Sequence, residues 1–148
     1  MEDILLREAE SRDLSGLLSL YSQLHGEPAA PLTAELEKLF DGIISDKNHH
    51  IVLAEAEGRI ISSCVCVIIP NLTHSQRPYA VVENVVTDEG FRGRGLASAC
   101  LAKAKEIAEA AGCYKIMLMT GSKKESTLRF YERAGYNRSD KTGFIMWL

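Results

Sequence analysis

One segment near the middle of the chain limits the fold more than any other. It spans residues 85–97 and reads VVTDEGFRGRGLA, so that strand-forming residues run into a glycine- and arginine-rich turn that opens into a helix. Glycines permit a curled backbone whose successive N–H groups point toward one spot. The first N–H groups of the helix lack internal partners, and the helix dipole adds partial positive charge there. The segment therefore predicts a strand–turn–helix unit that binds phosphate oxygens.

The turn does not match the two most familiar phosphate-binding motifs. No Gly-Lys-Ser or Gly-Lys-Thr follows it, as a P-loop requires, and Ser98 stands where the dinucleotide fingerprint needs its third glycine. Arg92 and Arg94 would add charge-assisted bonds to a bound anion. A tight turn with solvated arginines and no ligand remains the alternative.

The spacing of apolar residues predicts ten elements in the order β-α-α-β-β-β-α-β-α-β. Ser11 or Asp13 is expected to cap the first helix and Thr33 the second. Gly112 and Gly135 are expected to end the last two helices. The predicted strands are 4–9, 51–56, 59–69, 79–86, 114–120 and 143–148, and the helices are 14–24, 33–44, 95–111 and 125–134.

This order predicts the fold class. Three consecutive strands imply an antiparallel half, and the later β-α-β unit implies at least one parallel pair. We therefore expect an α/β (α+β) fold, with a mixed, largely antiparallel sheet flanked by helices on both faces. At 148 residues the chain is expected to form a single domain, residues 1–148.

Charge and hydropathy exclude several partners. The net charge of −3 argues against nucleic acid, because phosphate contacts need a basic surface. Nowhere do about 18 apolar residues run together, so no membrane span is expected. The N-terminus lacks a basic region followed by an apolar stretch, which predicts a cytoplasmic protein.

The four cysteines are predicted to be reduced thiols, since no secretion signal accompanies them. Cys64 and Cys66 alternate within an apolar run and would share one buried face of a strand. A metal site would need further ligands at matching spacing, and none follows them. We therefore expect no metal.

Two motifs give the chain a family resemblance. Residues 92–97, Arg-Gly-Arg-Gly-Leu-Ala, resemble the R/Q-x-x-G-x-G/A motif of the GNAT superfamily of acetyl-CoA-dependent N-acetyltransferases. Residues 129–136, RFYERAGY, resemble the family's F-Y-x-x-x-G-F segment. The resemblance implies a GNAT-like fold and acetyl-CoA as co-substrate. It also implies direct transfer of the acetyl group, in a ternary complex, to the primary amine of a small molecule.

Candidate catalytic residues follow from position and from resemblance. Glu83 is the one carboxylate on the strand before the turn, so it is the candidate base for the amine, with a plain surface glutamate as the alternative. By resemblance, Tyr131 would protonate the leaving thiolate, with a tyrosine packed on the sheet as the alternative. Resemblance also implies that a backbone N–H near Val85 or Val86 meets the developing oxyanion.

Resemblance also implies two sets of binding residues. The cofactor set is Val85, Val86, Thr87, Arg92, Gly93, Arg94, Gly95, Leu96, Ala97 and Phe130. The substrate set is Arg77, Tyr79, Glu83, Asn84, Tyr114 and Lys115. Arg77 and Tyr79 belong to it by position and not by resemblance, because the polar loop 71–77 leads into the Glu83 strand and could line the pocket; a solvated connection is the equal alternative.

Within the superfamily, residues 82–135 are similar to glucosamine-phosphate N-acetyltransferases. Asn84 and Met119 depart from that subfamily, which carries acidic residues at both positions. Two further functions stay open: a protein lysine or N-terminal acetyltransferase, and a non-catalytic module that binds acyl-CoA. Family habit implies a homodimer.

Overall fold

The computed structural model describes residues 3–148. The strands are β1 (Leu5–Glu8), β2 (His49–Ala56), β3 (Arg59–Ile69), β4 (Tyr79–Thr87) and β5 (Ile116–Leu118). The helices are α1 (Leu14–His25), α2 (Ala34–Ser45), α3 (Leu96–Ala110) and α4 (Glu125–Arg133), with short 3₁₀ turns at Ser11–Asp13 and Glu89–Phe91. None of these helices is long and apolar enough to cross a membrane; the longest, α3, has 15 residues.

The strands form one sheet in the order β1-β2-β3-β4-β5. Neighbours from β1 to β4 pair antiparallel, and β4 pairs parallel with β5. The expected mixed, largely antiparallel sheet is therefore confirmed. The parallel pair arises because α3 carries the chain from the end of β4 back to the start of β5, as a β-α-β crossover requires.

The β2–β3 hairpin turns through two residues, Glu57 and Gly58. Both have positive φ, 49° and 75°, while Ala56 and Arg59 pair on either side. Two-residue hairpin turns with positive φ at both positions match the right-handed twist of the strands, and glycine adopts that conformation without a steric cost. The predicted Glu-Gly turn is therefore where the chain reverses.

Helices cover both faces of the sheet, as expected. Ile51 and Leu53 on β2 pack under α1 and α2, whereas Val52 and Ala54 between them pack under α3. Cys64 and Cys66 share the α3 face and are fully buried, which confirms the predicted alternation. The two apolar clusters make the sheet the middle layer of three.

The helix ends confirm one predicted N-cap and correct the other. The Thr33 hydroxyl accepts a hydrogen bond from the Leu36 N–H at 3.1 Å, as expected. Asp13 precedes α1, but its carboxylate makes no capping bond to that helix. It binds Arg7 and the Glu10 N–H instead, so it stabilises the preceding 3₁₀ turn.

The prediction of a last strand is wrong. Residues 143–148 form no strand, although Gly143 passes close to Met119 just beyond β5. A strand needs a hydrogen-bonding neighbour, and the segment pairs with no other strand of the sheet. Its apolar side chains stay in solvent, each between 68% and 116% exposed: Phe144, Ile145, Met146, Trp147 and Leu148. The segment has the apolar pattern of a strand but, among residues 3–148, no neighbouring strand to pair with.

Candidate active site

A β-bulge interrupts β4 at its centre. The pairing passes from Val65–Glu83 to Ser63–Val86, so two residues of β4, Asn84 and Val85, lie opposite the single residue Cys64 of β3. Asn84 has a φ of 51°, a left-handed conformation that asparagine adopts more readily than most residues. Bulges bend a strand and redirect its side chains. The spacing of apolar residues did not predict this bulge, although an asparagine within a β-branched run was a usable signal.

Beyond the bulge, β4 separates from its neighbour. β5 pairs only with residues 80–82 of β4, so residues 83–87 have no neighbouring strand on that side of the sheet. Backbone N–H and C=O groups on an open edge are free to bind a ligand. The strand thus offers an open backbone edge beside Glu83, leading directly into the glycine turn.

The turn has the curled backbone that its glycines predict. Gly93 and Gly95 have φ values of 76° and 78°, which residues with a Cβ rarely adopt. Gly95 is the N-cap of α3, and no side chain caps the helix there. The Asp88 carboxylate instead accepts from the Gly90 N–H at 2.9 Å and shapes the start of the turn. The first N–H groups of α3 are therefore left for an anion.

Arginine side chains surround the turn. Arg92 donates from Nε to the Thr87 carbonyl at 3.3 Å, and the Arg94 guanidinium lies 4.8 Å from the centre of the Phe91 ring. Arg59 lies 5.5 Å from the same ring and pairs with Asp88 at 3.3 Å. The arginines add positive charge next to the helix N-terminus. Arg59, a hairpin residue far away in sequence, was not predicted here.

Gln23 on α1 fastens this turn to the rest of the fold. Its amide nitrogen donates to Asp88 at 3.2 Å, and its amide oxygen accepts from the Glu89 N–H at 3.0 Å. One side chain thus bridges the helix layer and the first turn after β4. The only sequence signal was a polar residue near the end of an apolar helix, which is too common to single out.

Glu83 and Tyr131 lie on opposite faces of the sheet. Glu83 is exposed and pairs with Val65, so both side chains point to the face covered by α1 and α2. Tyr131 on α4 packs against the α3-side cluster that contains Cys64, the residue opposite the bulge. β4 separates from β5 in this region, and the two side chains therefore approach it from opposite faces of the sheet.

Tyr131 is half-buried in an aromatic group. Its ring lies 5.0 Å from that of Phe130 and 6.3 Å from that of Tyr136, both edge-on. Burial raises the pKa of Tyr131 above its ordinary value. The phenol therefore stays protonated at neutral pH, which a proton donor requires.

All of these features lie within a region that matches one protein-family model. Residues 14–136 match the model of the acetyltransferase (GNAT) family, a range that includes the open strand, the glycine turn and Tyr131. The chain belongs to the GNAT family of acetyltransferases. It is an acyltransferase, as its two motifs predict.

Individual relatives resemble this GNAT acetyltransferase over nearly its whole length. Glucosamine 6-phosphate N-acetyltransferase of Trypanosoma brucei brucei is 34% identical, over 94% of this chain and 92% of its own. A solved structure of a proposed acetyltransferase from Agrobacterium tumefaciens has a TM-score of 0.91 at 38% identity, covering 97% of this chain and 99% of its own. Glucosamine-6-phosphate N-acetyltransferase from Arabidopsis thaliana shares the fold, with a TM-score of 0.85 at 24% identity and 99% coverage of both chains.

The remaining predicted substrate residues lie at the opposite end of β4. The Lys115 ammonium lies 5.1 and 5.3 Å from the ring centres of Tyr79 and Tyr114. Arg77 donates to the carbonyls of Gly112 and Cys113, at 3.1 and 3.0 Å, just past the end of α3. A strand rises roughly 3.3 Å per residue, so Tyr79 lies about 13 Å along β4 from Glu83. In the structure Glu83 and Asn84 thus lie side by side, and the other four predicted substrate residues lie at the far end of β4. Their contact with substrate remains a prediction.

Three of the four cysteines are buried, unreactive thiols. Cys64, Cys66 and Cys100 are buried and free, and burial raises the pKa of Cys66 and Cys100 to about 11. A thiol must ionise to act as a nucleophile, so these groups are unreactive near neutral pH. Across residues 3–148, no three His, Cys, Asp or Glu side chains cluster as a metal site would need.

Proposed function

We propose that this GNAT acetyltransferase moves the acetyl group of acetyl-CoA directly onto the primary amine of a small molecule within a ternary complex. The observation that carries the proposal is the continuity of three features. Glu83, the open edge of β4 and the uncapped N-terminus of α3 follow one another along a single stretch of chain. The glucosamine 6-phosphate of the curated relatives is itself a small molecule with a primary amine, which supports this acceptor class.

The residues of the turn fit a diphosphate group. Two glycines hold the backbone in positive φ, and the N–H groups of α3 beyond Gly95 meet no capping side chain. Arg92 and Arg94 add charge on the same turn. When bound, acetyl-CoA supplies an acetyl thioester, an electrophile with a good leaving group. The edge of β4 from Val85 to Thr87 would hold the chain that links thioester and diphosphate.

The chemistry then needs one base and one acid. The acceptor arrives as an ammonium ion, and Glu83 accepts its proton directly or through a water. The amine nitrogen attacks the carbonyl carbon, the C–N bond forms and the C–S bond breaks. The nitrogen then loses its second proton, which replaces the proton that Tyr131 gives to the thiolate. An N–H near Val85 or Val86 stabilises the developing oxyanion by about 3 kcal/mol. Tyr131 protonates the departing thiolate, and no covalent enzyme intermediate is needed.

Turnover of acetyl-CoA with a panel of amines, read as release of free thiol, tests this function. Small amines should support turnover and lysine peptides should not. Preferential use of peptides would favour a protein acetyltransferase. Binding of acetyl-CoA without turnover on any amine would favour a non-catalytic acyl-CoA module.

Gly95→Asp is expected to weaken acetyl-CoA binding about tenfold or more, because it places a carboxylate among the N–H groups that bind phosphate. Gly95→Ala is the matched control. Both variants place a side chain at a φ of 78°, which costs roughly 1–2 kcal/mol in backbone strain, but only aspartate adds charge. Calorimetry with acetyl-CoA measures the difference. Equal affinities of the two variants would contradict the assignment of the turn.

We also propose a homodimer, in which the exposed segment 144–148 lies in the interface. Exposed apolar residues in a contiguous run mark interaction sites. Replacing both Phe144 and Trp147 by serine is expected to raise the dimer dissociation constant at least about 30-fold. Leu72→Ser is the control, since Leu72 is 86% exposed but isolated in a loop. Sedimentation measures the state, and a wild-type monomer at micromolar concentration would contradict the proposal.

We expect a cytoplasmic location as well. The three buried free thiols support it, because such thiols are typical of a reducing compartment.

A further inference from the structure

A cavity of about 310 Å³ lies between α1, α2 and the sheet face that they cover. Glu83 and Asn84 border it at the bulge of β4. Its volume is at the lower end of the range for small-molecule sites, roughly 300–1,000 Å³. The cavity therefore begins at the carboxylate that we assign as the base, on the side away from Tyr131.

The walls of this cavity are almost entirely apolar. Ten of its fourteen lining residues are leucine, isoleucine, valine or phenylalanine. No lysine or arginine is among them, and Glu83 is the one carboxylate. The lining therefore carries a negative charge at one end of the cavity, and the rest of it is a long apolar wall. Representative wall residues are Leu17, Leu18, Phe40, Ile43, Ile51 and Val67.

Two polar side chains interrupt the wall. The Tyr21 hydroxyl is buried beside Ser63, whose own hydroxyl donates to the Val52 carbonyl at 2.9 Å. Burial lowers the pKa of His49, so its imidazole is neutral near pH 7.

We propose that this cavity holds the body of the acceptor, and that the acceptor is a primary amine on an aliphatic or aromatic group. The inference rests on the proposed function and names its substrate class. The ammonium group lies at Glu83, and the apolar body lies between α1 and α2.

A phosphorylated sugar does not fit this lining. Its phosphate would lose hydration without gaining a cation, and its hydroxyls would face leucine and valine side chains. Glu83 would repel the phosphate at the polar end. The chain thus differs in predicted acceptor from the glucosamine 6-phosphate N-acetyltransferases that it resembles.

A homologous series of n-alkylamines tests the wild-type enzyme. Their amines are chemically alike, so differences report the apolar body alone. We expect kcat/KM to rise about fourfold for each added methylene until the cavity is full. We expect 2-phenylethylamine to exceed glucosamine 6-phosphate by at least about 100-fold, since the cavity offers no partner for phosphate.

Two variants of α1 locate the effect. Leu18→Trp fills the cavity and should raise KM for hexylamine and 2-phenylethylamine about tenfold or more, with KM for ethylamine nearly unchanged. Ser19→Trp adds the same ring at an exposed position on the same helix and should change neither KM. Equal acetyl-CoA affinity in calorimetry shows that both variants are folded.

Calorimetry of 2-phenylethylamine with the wild-type protein separates this inference from the proposed function. Binding that Leu18→Trp abolishes, without acetyl transfer, would uphold the cavity and overturn the function. Acetylation of glucosamine 6-phosphate as efficiently as 2-phenylethylamine, or kcat/KM independent of alkyl length, would overturn the cavity assignment while the function stands. Absence of both binding and transfer would overturn both.

Discussion

Tyr131→Phe is expected to lower kcat roughly 10²–10⁴-fold while acetyl-CoA affinity stays nearly the same. The ring remains packed between Phe130 and Tyr136, so the loss would report the hydroxyl alone. The reason is chemical: without a proton donor the thiolate must leave as an anion beside a half-buried aromatic group. Single-turnover kinetics with the preferred amine measure the chemical step directly.

Tyr136→Phe is the matched control for that experiment. Burial raises the pKa of Tyr136 to about 12, so it is a second protonated phenol on the same aromatic cluster. Its removal should leave kcat unchanged. If Tyr131→Phe also retained the wild-type rate of the chemical step, Tyr131 would be a packing residue and the thiolate would take its proton elsewhere.

Glu83→Gln is expected to lower the rate at neutral pH by about 10² or more, since glutamine keeps the shape of the side chain and removes the base. The rate should partly recover at high pH, because free amine then becomes abundant without help. This recovery distinguishes a base from a residue that only orients the acceptor. The full pH–rate profile of kcat/KM is the measurement.

Glu89→Gln controls for a general change in charge near the site. Glu89 is the nearest carboxylate beyond β4 apart from Asp88, and it lies in the turn at the phosphate end. Its substitution should leave kcat and the pH–rate profile unaltered. A Glu83→Gln enzyme with the wild-type profile would mean that the proton leaves by another route.

The acceptor assignment changes how these experiments should be run. A small apolar amine would be the substrate for both variants, since glucosamine 6-phosphate is expected to be poor. Slow turnover with the sugar phosphate alone would not distinguish a damaged active site from an unsuitable acceptor. The series of alkylamines therefore comes first.

Local patterns predicted most of the fold. The alternation of Ile51, Val52, Leu53 and Ala54 determined which strand residues face each helix layer, because successive side chains point to opposite faces. Gly93 and Gly95 predicted the curled turn, since glycine adopts positive φ without a steric cost. The residue types themselves set this short-range geometry, so these features could be predicted without tertiary information.

The C-terminal segment shows where that reasoning fails. The pattern from Phe144 to Leu148 is strand-like, but a strand exists only beside another strand, and within residues 3–148 this segment pairs with none. Apolar periodicity reports how a segment would pair and not whether a partner reaches it. In the proposed homodimer, a second copy of the chain would cover this segment.

By itself, the sequence predicted the GNAT family, the curled glycine turn and the candidate base, because each depends on short stretches of chain, and the family resemblance supplied the candidate acid. Only the tertiary structure decided how distant residues meet. It placed Gln23 and Arg59 at the turn, opened the edge of β4 beyond residue 82, moved Arg77 to the end of α3, and formed the apolar cavity beside Glu83. The cavity arises from the packing of two helices against three strands, and no local pattern encodes the space left between them.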